Sequence, residues 1–110
     1  MGDTEKVLSS LGLCVKAGKV IFGVPMICEA MKKGGKAFPV AVLEASDVSE
    51  NTHKRISDRC AYYGVRLIKL SIGGEELALS LGKSAFIGAV AVTDKKLFSV
   101  VEKHIDMQNN

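Results

Sequence analysis

Pro39-Val40-Ala41-Val42-Leu43 is five apolar residues in a row with no polar interruption. A strand buried on both faces has this pattern, because neither of its faces meets water. Gly88-Ala89-Val90-Ala91-Val92 repeats it nearer the other end of the chain. Upstream of the first run, Pro25 suits the opening turn of a helix, where its missing N–H is no loss. Met26, Ile27, Ala30 and Met31 give that helix an apolar face, and Gly34-Gly35 ends it. Before it, residues 19–22 (Lys-Val-Ile-Phe) predict a short strand broken by Gly23. Earlier still, Val7, Leu8, Leu11 and Val15 recur at helical spacing within residues 4–17, and Gly18 closes that helix.

Downstream, Asp47 with Glu50 three residues on predicts a capping box. The helix it opens runs to about Tyr63, with Ile56, Cys60 and Tyr63 facing inward, and stops at Gly64. Residues 65–70 predict a third strand. Gly73-Gly74 opens a fourth helix over 75–81, with Glu75 and Glu76 in the first turn as the helix dipole favours, and Gly82 stops it. Thr93-Asp94 caps a last helix to about His104, and the tail 107–110 is expected to fray. Helix and strand alternate from end to end. The expected fold is therefore α/β, a three-layer α/β/α sandwich around a central sheet of about four strands. Residues 1–110 form one domain in this reading, with its core at about 4–104.

The chain has 110 residues, 47% hydrophobic and 25% charged, an ordinary globular balance that argues against disorder. No apolar run is long enough to cross a bilayer, so no membrane partner is expected. Asp3 and Glu5 at the start do not resemble a signal peptide, and a cytoplasmic location is expected. Cys14, Cys28 and Cys60 are odd in number and far apart, which excludes a tidy disulfide framework and a CxxC zinc site. Each falls among apolar helical residues and is expected to be a small core residue. The net charge of +3 is unevenly placed. Residues 1–36 hold six lysines against three acids, and the remainder is balanced. A basic surface of this kind attracts phosphate, or is a solvated helix face.

Catalytic signatures are missing. GxSxG, GxxxxGK[ST] and GxGxxG do not occur, and His53 and His104 lack metal-ligand spacing. Both histidines are expected to be solvated surface residues. No metal, no cofactor and no enzymatic activity are expected. Instead, three loops can converge at one end of such a sheet. The first holds Lys16, Gly18 and Lys19 with Gly23, Val24, Pro25 and Met26. The second is Glu44, Ala45, Ser46 and Asp47. The third follows Lys83 and holds Phe86, Ile87, Gly88, Ala89 and Val90. The start of the second helix offers free backbone N–H groups to a phosphate. Gly23 lets a backbone come close. Phe86 and Ile87 either pack on a base or belong to the core.

Four segments carry a family resemblance: residues 16–23 (KAGKVIFG), 45–52 (ASDVSENT), 58–65 (DRCAYYGV) and 89–94 (AVAVTD). In order and spacing they resemble the L7Ae/L30e superfamily of ribosomal proteins, most of all its short bacterial YlxQ-type members. The resemblance covers about residues 4–103. It implies an α/β/α sandwich that binds kink-turn RNA. The turn between the first strand and the second helix would enter the groove at tandem sheared G·A pairs, and an apolar loop near the fourth strand would cover a looped-out nucleotide. Carried over, the turn is Gly23, Val24, Pro25 and Met26 with Lys19 nearby, the second loop runs from Glu44 to Asp47, and the apolar loop from Phe86 to Val90. Family members place polar residues, typically Asn and Glu, after that glycine. Here Val24, Pro25 and Met26 stand there, which leaves backbone N–H groups and lysines to meet phosphate. The expectation is a monomeric, non-enzymatic RNA-binding protein associated with the ribosome. A protein-interaction module is the alternative, because an apolar tip rimmed by lysine also suits a protein partner. A small enzyme has no motif behind it.

Overall fold

The computed structural model describes the backbone of residues 2–108 and the side chains of residues 4–105. The elements are α1 (Gly2–Lys16), β1 (Val20–Phe22), α2 (Val24–Lys33), a 3-10 turn (Gly35–Ala37), β2 (Ala41–Glu44), α3 (Glu50–Tyr63), β3 (Arg66–Lys69), α4 (Gly74–Ser80), β4 (Ala89–Val92) and α5 (Lys95–Gln108). They form the expected three-layer sandwich. Of the tail expected to fray, 107 and 108 belong to α5, and 109 and 110 lie outside the described residues.

The sheet runs β1-β4-β2-β3. β4 is antiparallel to both β1 and β2, and β2 is parallel to β3. The two uninterrupted apolar runs are the two central strands. Alternation sends Ala41, Leu43, Val90 and Val92 to one core and Val42, Ala89 and Ala91 to the other. The first core is closed by α1, α4 and α5 through Leu11, Leu77 and Val101. The second is closed by α2 and α3 through Ile27, Met31, Ile56 and Cys60. Both faces of these strands are dry, which is why neither run alternates with polar residues.

Two local expectations are corrected. Asp47 does not cap α3. The cap is Ser49, whose Oγ accepts the Thr52 N–H at 3.2 Å. Asp47 instead accepts the Gly74 N–H at 2.9 Å and so caps α4, across 27 residues of sequence. The first turn of α4 has free N–H groups, and Gly73 has no Cβ to obstruct the carboxylate. A Cβ there would lie 2.7 Å from Asp47 Oδ2. Between α2 and β2 the chain also makes the 3-10 turn, where the sequence pattern shows only the end of a helix. Asp94 does cap α5, accepting the Leu97 N–H at 3.0 Å.

All three cysteines are buried and free. Burial pushes the Cys60 thiol from 9.0 to about 11, with smaller contributions from Cys28 and Glu44. The folded state therefore holds this proton where the unfolded chain releases it. The stabilising effect is complete below pH 9 and is lost as pH rises through 11. At pH 10 the loss is on the order of 1 kcal/mol. Urea unfolding at pH 8 and pH 10 measures it, and Cys60→Ala should remove that share of the alkaline loss.

Candidate functional site

Strand pairing decides which loops meet. Phe22 lies opposite Val90, and Glu44 opposite Ala89. The Gly23 N–H donates to Ala89 O at 2.9 Å, and the Ala45 N–H to Gly88 O at 2.8 Å. The end of β1, the end of β2 and the start of β4 thus share one end of the sheet. Residues 23–26, 44–47 and 86–90 gather there.

Gly23 has φ 90° and ψ 143°, a conformation that L side chains rarely adopt. It turns the chain directly from β1 into α2. Pro25 sits in the first turn, and no side chain caps this helix start. Beside it lies an open cleft of about 410 Å³, lined by Phe22, Gly23, Val24, Pro25, Thr52, Arg55, Phe86, Ile87 and Gly88. Phe86, 55% exposed, gives the cleft an apolar rim, whereas Met26, 61% exposed, lines a separate concavity of about 240 Å³ with Ile21, Ala30 and Lys33. One cation lines the cleft, and a second stands against the Phe22 ring that forms part of its wall. Arg55 lines it from α3. Lys83 Nζ stands 4.5 Å from the centre of the Phe22 ring, in cation–π range.

Several of the expected residues take other places. Lys16, Gly18 and Lys19 lie at the opposite end of the sheet, where Lys19 O accepts the Thr93 N–H at 3.0 Å. β1 carries the chain from Lys19 to Gly23, roughly 13 Å at strand rise. The lysines adjacent in sequence are thus held away from the glycine turn. Glu44 and Ala45 are wholly buried, Ser46 is exposed, and Asp47 is occupied with the start of α4. This loop supports the cleft from behind rather than lining it. Ile87, Ala89 and Val90 are core residues.

His53 keeps 44% of its side chain exposed, as a surface histidine does, but it also has a buried partner that its sequence context did not imply. Its Nδ1 lies 2.7 Å and 2.8 Å from the two carboxylate oxygens of Glu44, which has no exposure at all. As an N–H donor, Nδ1 satisfies a carboxylate that would otherwise be alone in the core. His53→Ala is expected to lower the unfolding free energy by about 2 kcal/mol, the range for a charge-assisted bond lost to a buried acceptor. Urea denaturation at pH 7 checks it. Thr52, Arg55 and Phe22 were absent from the sequence-derived set. With Ser49 as the true cap, Thr52 and Arg55 are three residues apart on one face of α3, and that spacing was the available signal.

Among the described residues, no group of three His, Cys, Asp or Glu side chains stands ready to hold a metal ion. Among the same residues, no helix is long and apolar enough to cross a membrane.

The fold and this loop-built cleft define an α/β/α sandwich of ribosomal-protein type. The chain belongs to the ribosomal protein L7Ae/L30e/S12e/Gadd45 family, whose pattern it matches over residues 5–102. It is 35% identical over 96 residues to a Bacillus subtilis (strain 168) protein named RNA-binding protein YlxQ, covering 84% of this chain and 91% of that one. An Enterococcus faecium protein of the same name is 29% identical over 102 residues, covering 92% and 84%. Among solved structures, a protein of unknown function from Bacillus halodurans C superposes with a TM-score of 0.80 at 25% identity, covering 92% of this chain and 97% of that one. The Giardia lamblia 15.5 kD RNA-binding protein shares the fold with a TM-score of 0.74 at 13% identity, covering 97% and 88%.

Proposed function

We propose that this chain is a non-enzymatic, cytoplasmic, ribosome-associated protein that binds structured RNA of the kink-turn class in the cleft beside Gly23. The observation that carries this reading is one juxtaposition. An uncapped helix start behind a left-handed glycine, an arginine with no carboxylate partner among the described residues and an exposed phenylalanine border the same open cleft. The N–H groups of α2 and the Arg55 guanidinium meet phosphate. Phe86 offers a ring to an unstacked base. Val24 is buried, and Pro25 and Met26 carry no hydrogen-bonding group suited to a guanine edge. Recognition therefore rests on backbone position and RNA shape more than on base edges. Family membership and the names of the two bacterial relatives support the same reading.

The test is a titration against a kink-turn RNA and a duplex of equal length, at low and moderate salt. Tight binding to the kink-turn alone is the expected result. Equal weak binding to both, lost with salt, would overturn the shape-specific claim. A second reading is favoured by two exposed apolar side chains, Phe86 at the cleft and Met26 on α2 outside it, which also suit a protein partner. Salt-insensitive self-association in sedimentation, with no RNA bound, would select it.

A further inference from the structure

α3 begins at the cleft and ends at the opposite end of the sheet. Arg55, Arg59 and Tyr62 follow one another along it at i, i+4 and i+7, so they form one stripe. The stripe starts inside the cleft, which Arg55 lines. It ends in a second concavity of about 360 Å³, lined by Asp58, Arg59, Tyr62 and Tyr63. Among the described residues, neither Arg55 nor Arg59 has a carboxylate partner. Asp58, the acid that lines the same concavity, is paired with Lys54 at 3.0 Å.

Tyr62 is 81% exposed, the most exposed large hydrophobic side chain among the described residues. It is also held in place. Its ring meets Tyr63 edge to face, with centroids 4.9 Å apart at 86°, and Tyr63 meets Phe38 at 6.1 Å and 73°. A fixed, solvent-facing ring following two free guanidiniums, and continuous with the cleft, is the arrangement that binds single-stranded nucleic acid. Cations follow the backbone, and the ring stacks a base. Beyond it lies the lysine-bearing end of the molecule. Lys36 lies two residues before Phe38 in the 3-10 turn, and α2 ends in Lys32 and Lys33.

Resting on the RNA-binding reading above, we propose that unpaired nucleotides flanking the structured RNA leave the cleft along α3. Arg55 and Arg59 hold their phosphates, and a base stacks on Tyr62. The α3 stripe is then a second, sequence-tolerant subsite for single strands.

The experiment uses the full chain and six RNAs. They are a blunt kink-turn, a blunt duplex, and each of these carrying a six-uridine tail, made in 5′ and 3′ versions. One tail polarity should tighten binding about tenfold, the scale of one base–aromatic stack. Tyr62→Ala should erase that gain and leave the affinity for blunt RNA unchanged, whereas Tyr62→Phe should keep it. Arg59→Ala should lower the salt slope for tailed RNA by about 0.7, the value for one single-strand phosphate. Absence of a tail gain in both polarities overturns the proposal. So does an equal effect of Tyr62→Ala on blunt and tailed RNA. A blunt kink-turn that binds no better than the blunt duplex counts against the kink-turn reading only. In that case the tail gain on the duplex, or hexauridylate binding lost in Tyr62→Ala, still decides for or against the stripe.

Discussion

Arg55→Glu is expected to weaken binding to a blunt kink-turn RNA about thirtyfold, or about 2 kcal/mol. The substitution removes a charge-assisted phosphate contact and places a like charge against the RNA backbone, inside a cleft where water is partly excluded. Lys19→Glu makes the same change in net charge at the opposite end of β1, and it is expected to change the affinity by less than twofold at moderate salt. Both positions are exposed, so both variants should unfold with wild-type urea midpoints. Fluorescence anisotropy with labelled RNA at two salt concentrations separates the outcomes. Equal weakening by the two substitutions would mean that the cleft is not the site and that net charge alone drives binding. A larger effect of Lys19→Glu would move the interface to the lysine-bearing end.

That contrast shows where the sequence was informative and where it was not. Layer order was legible because burial leaves a local imprint. Residues 39–43 and 88–92 are apolar throughout because both faces of β2 and β4 are covered. The convergence of the Gly23, Asp47 and Phe86 segments followed from strand alternation. Which lysines accompany Gly23 did not. Lys19 and Gly23 are four residues apart in the chain, but a strand separates them by its own length, whereas a loop would have kept them together. Arg55, which lines the cleft, and Lys83, which stands over the Phe22 ring, come from distant segments through tertiary packing, and no local pattern marks them.

Asp47 and His53 show a related limit. Asp-x-x-Glu resembles a capping box, and the local grammar was satisfied by Asp47 and Glu50. A competing acceptor closer to the helix, Ser49, took the cap and left Asp47 for a helix start 27 residues away. His53 lies in a polar stretch, Asn51-Thr52-His53-Lys54-Arg55, and looked solvated. Its partner is a glutamate that ends an apolar strand, and pairing across nine residues has no signature in either segment alone. In both cases a polar group inside or beside the core recruited the nearest satisfying partner in space.

Gly74→Ala should be more damaging than a change of one methyl group suggests. Gly74 opens α4 with ordinary helical geometry, so backbone conformation does not demand glycine there. Space does. A Cβ would sit 2.4 Å from Phe86 Cε2 and 2.6 Å from Ile87 O. The phenylalanine ring can swing into solvent, but the carbonyl cannot move alone. Ile87 N–H donates to Gly74 O at 3.1 Å, and Gly88 O accepts the Ala45 N–H at 2.8 Å. Relief therefore requires the whole 86–88 loop to shift, and that loop is the apolar wall of the cleft. Alanine's better helix propensity contributes up to about 1 kcal/mol in favour of the variant. Overpacking against fixed backbone acts in the other direction by up to about 3 kcal/mol, so the net expectation is a loss of about 2 kcal/mol. Gly12 calibrates the sign. It lies inside α1, and an alanine methyl there would meet nothing within 4 Å, so Gly12→Ala should stabilise by about 0.5 to 1 kcal/mol. Urea midpoints of the two variants should move in opposite directions. Of the two, only Gly74→Ala should also weaken RNA binding at temperatures where it stays folded. Wild-type stability with unchanged RNA affinity in Gly74→Ala would show that the 86–88 loop is free to move, and Phe86 would then not be a fixed wall of the site.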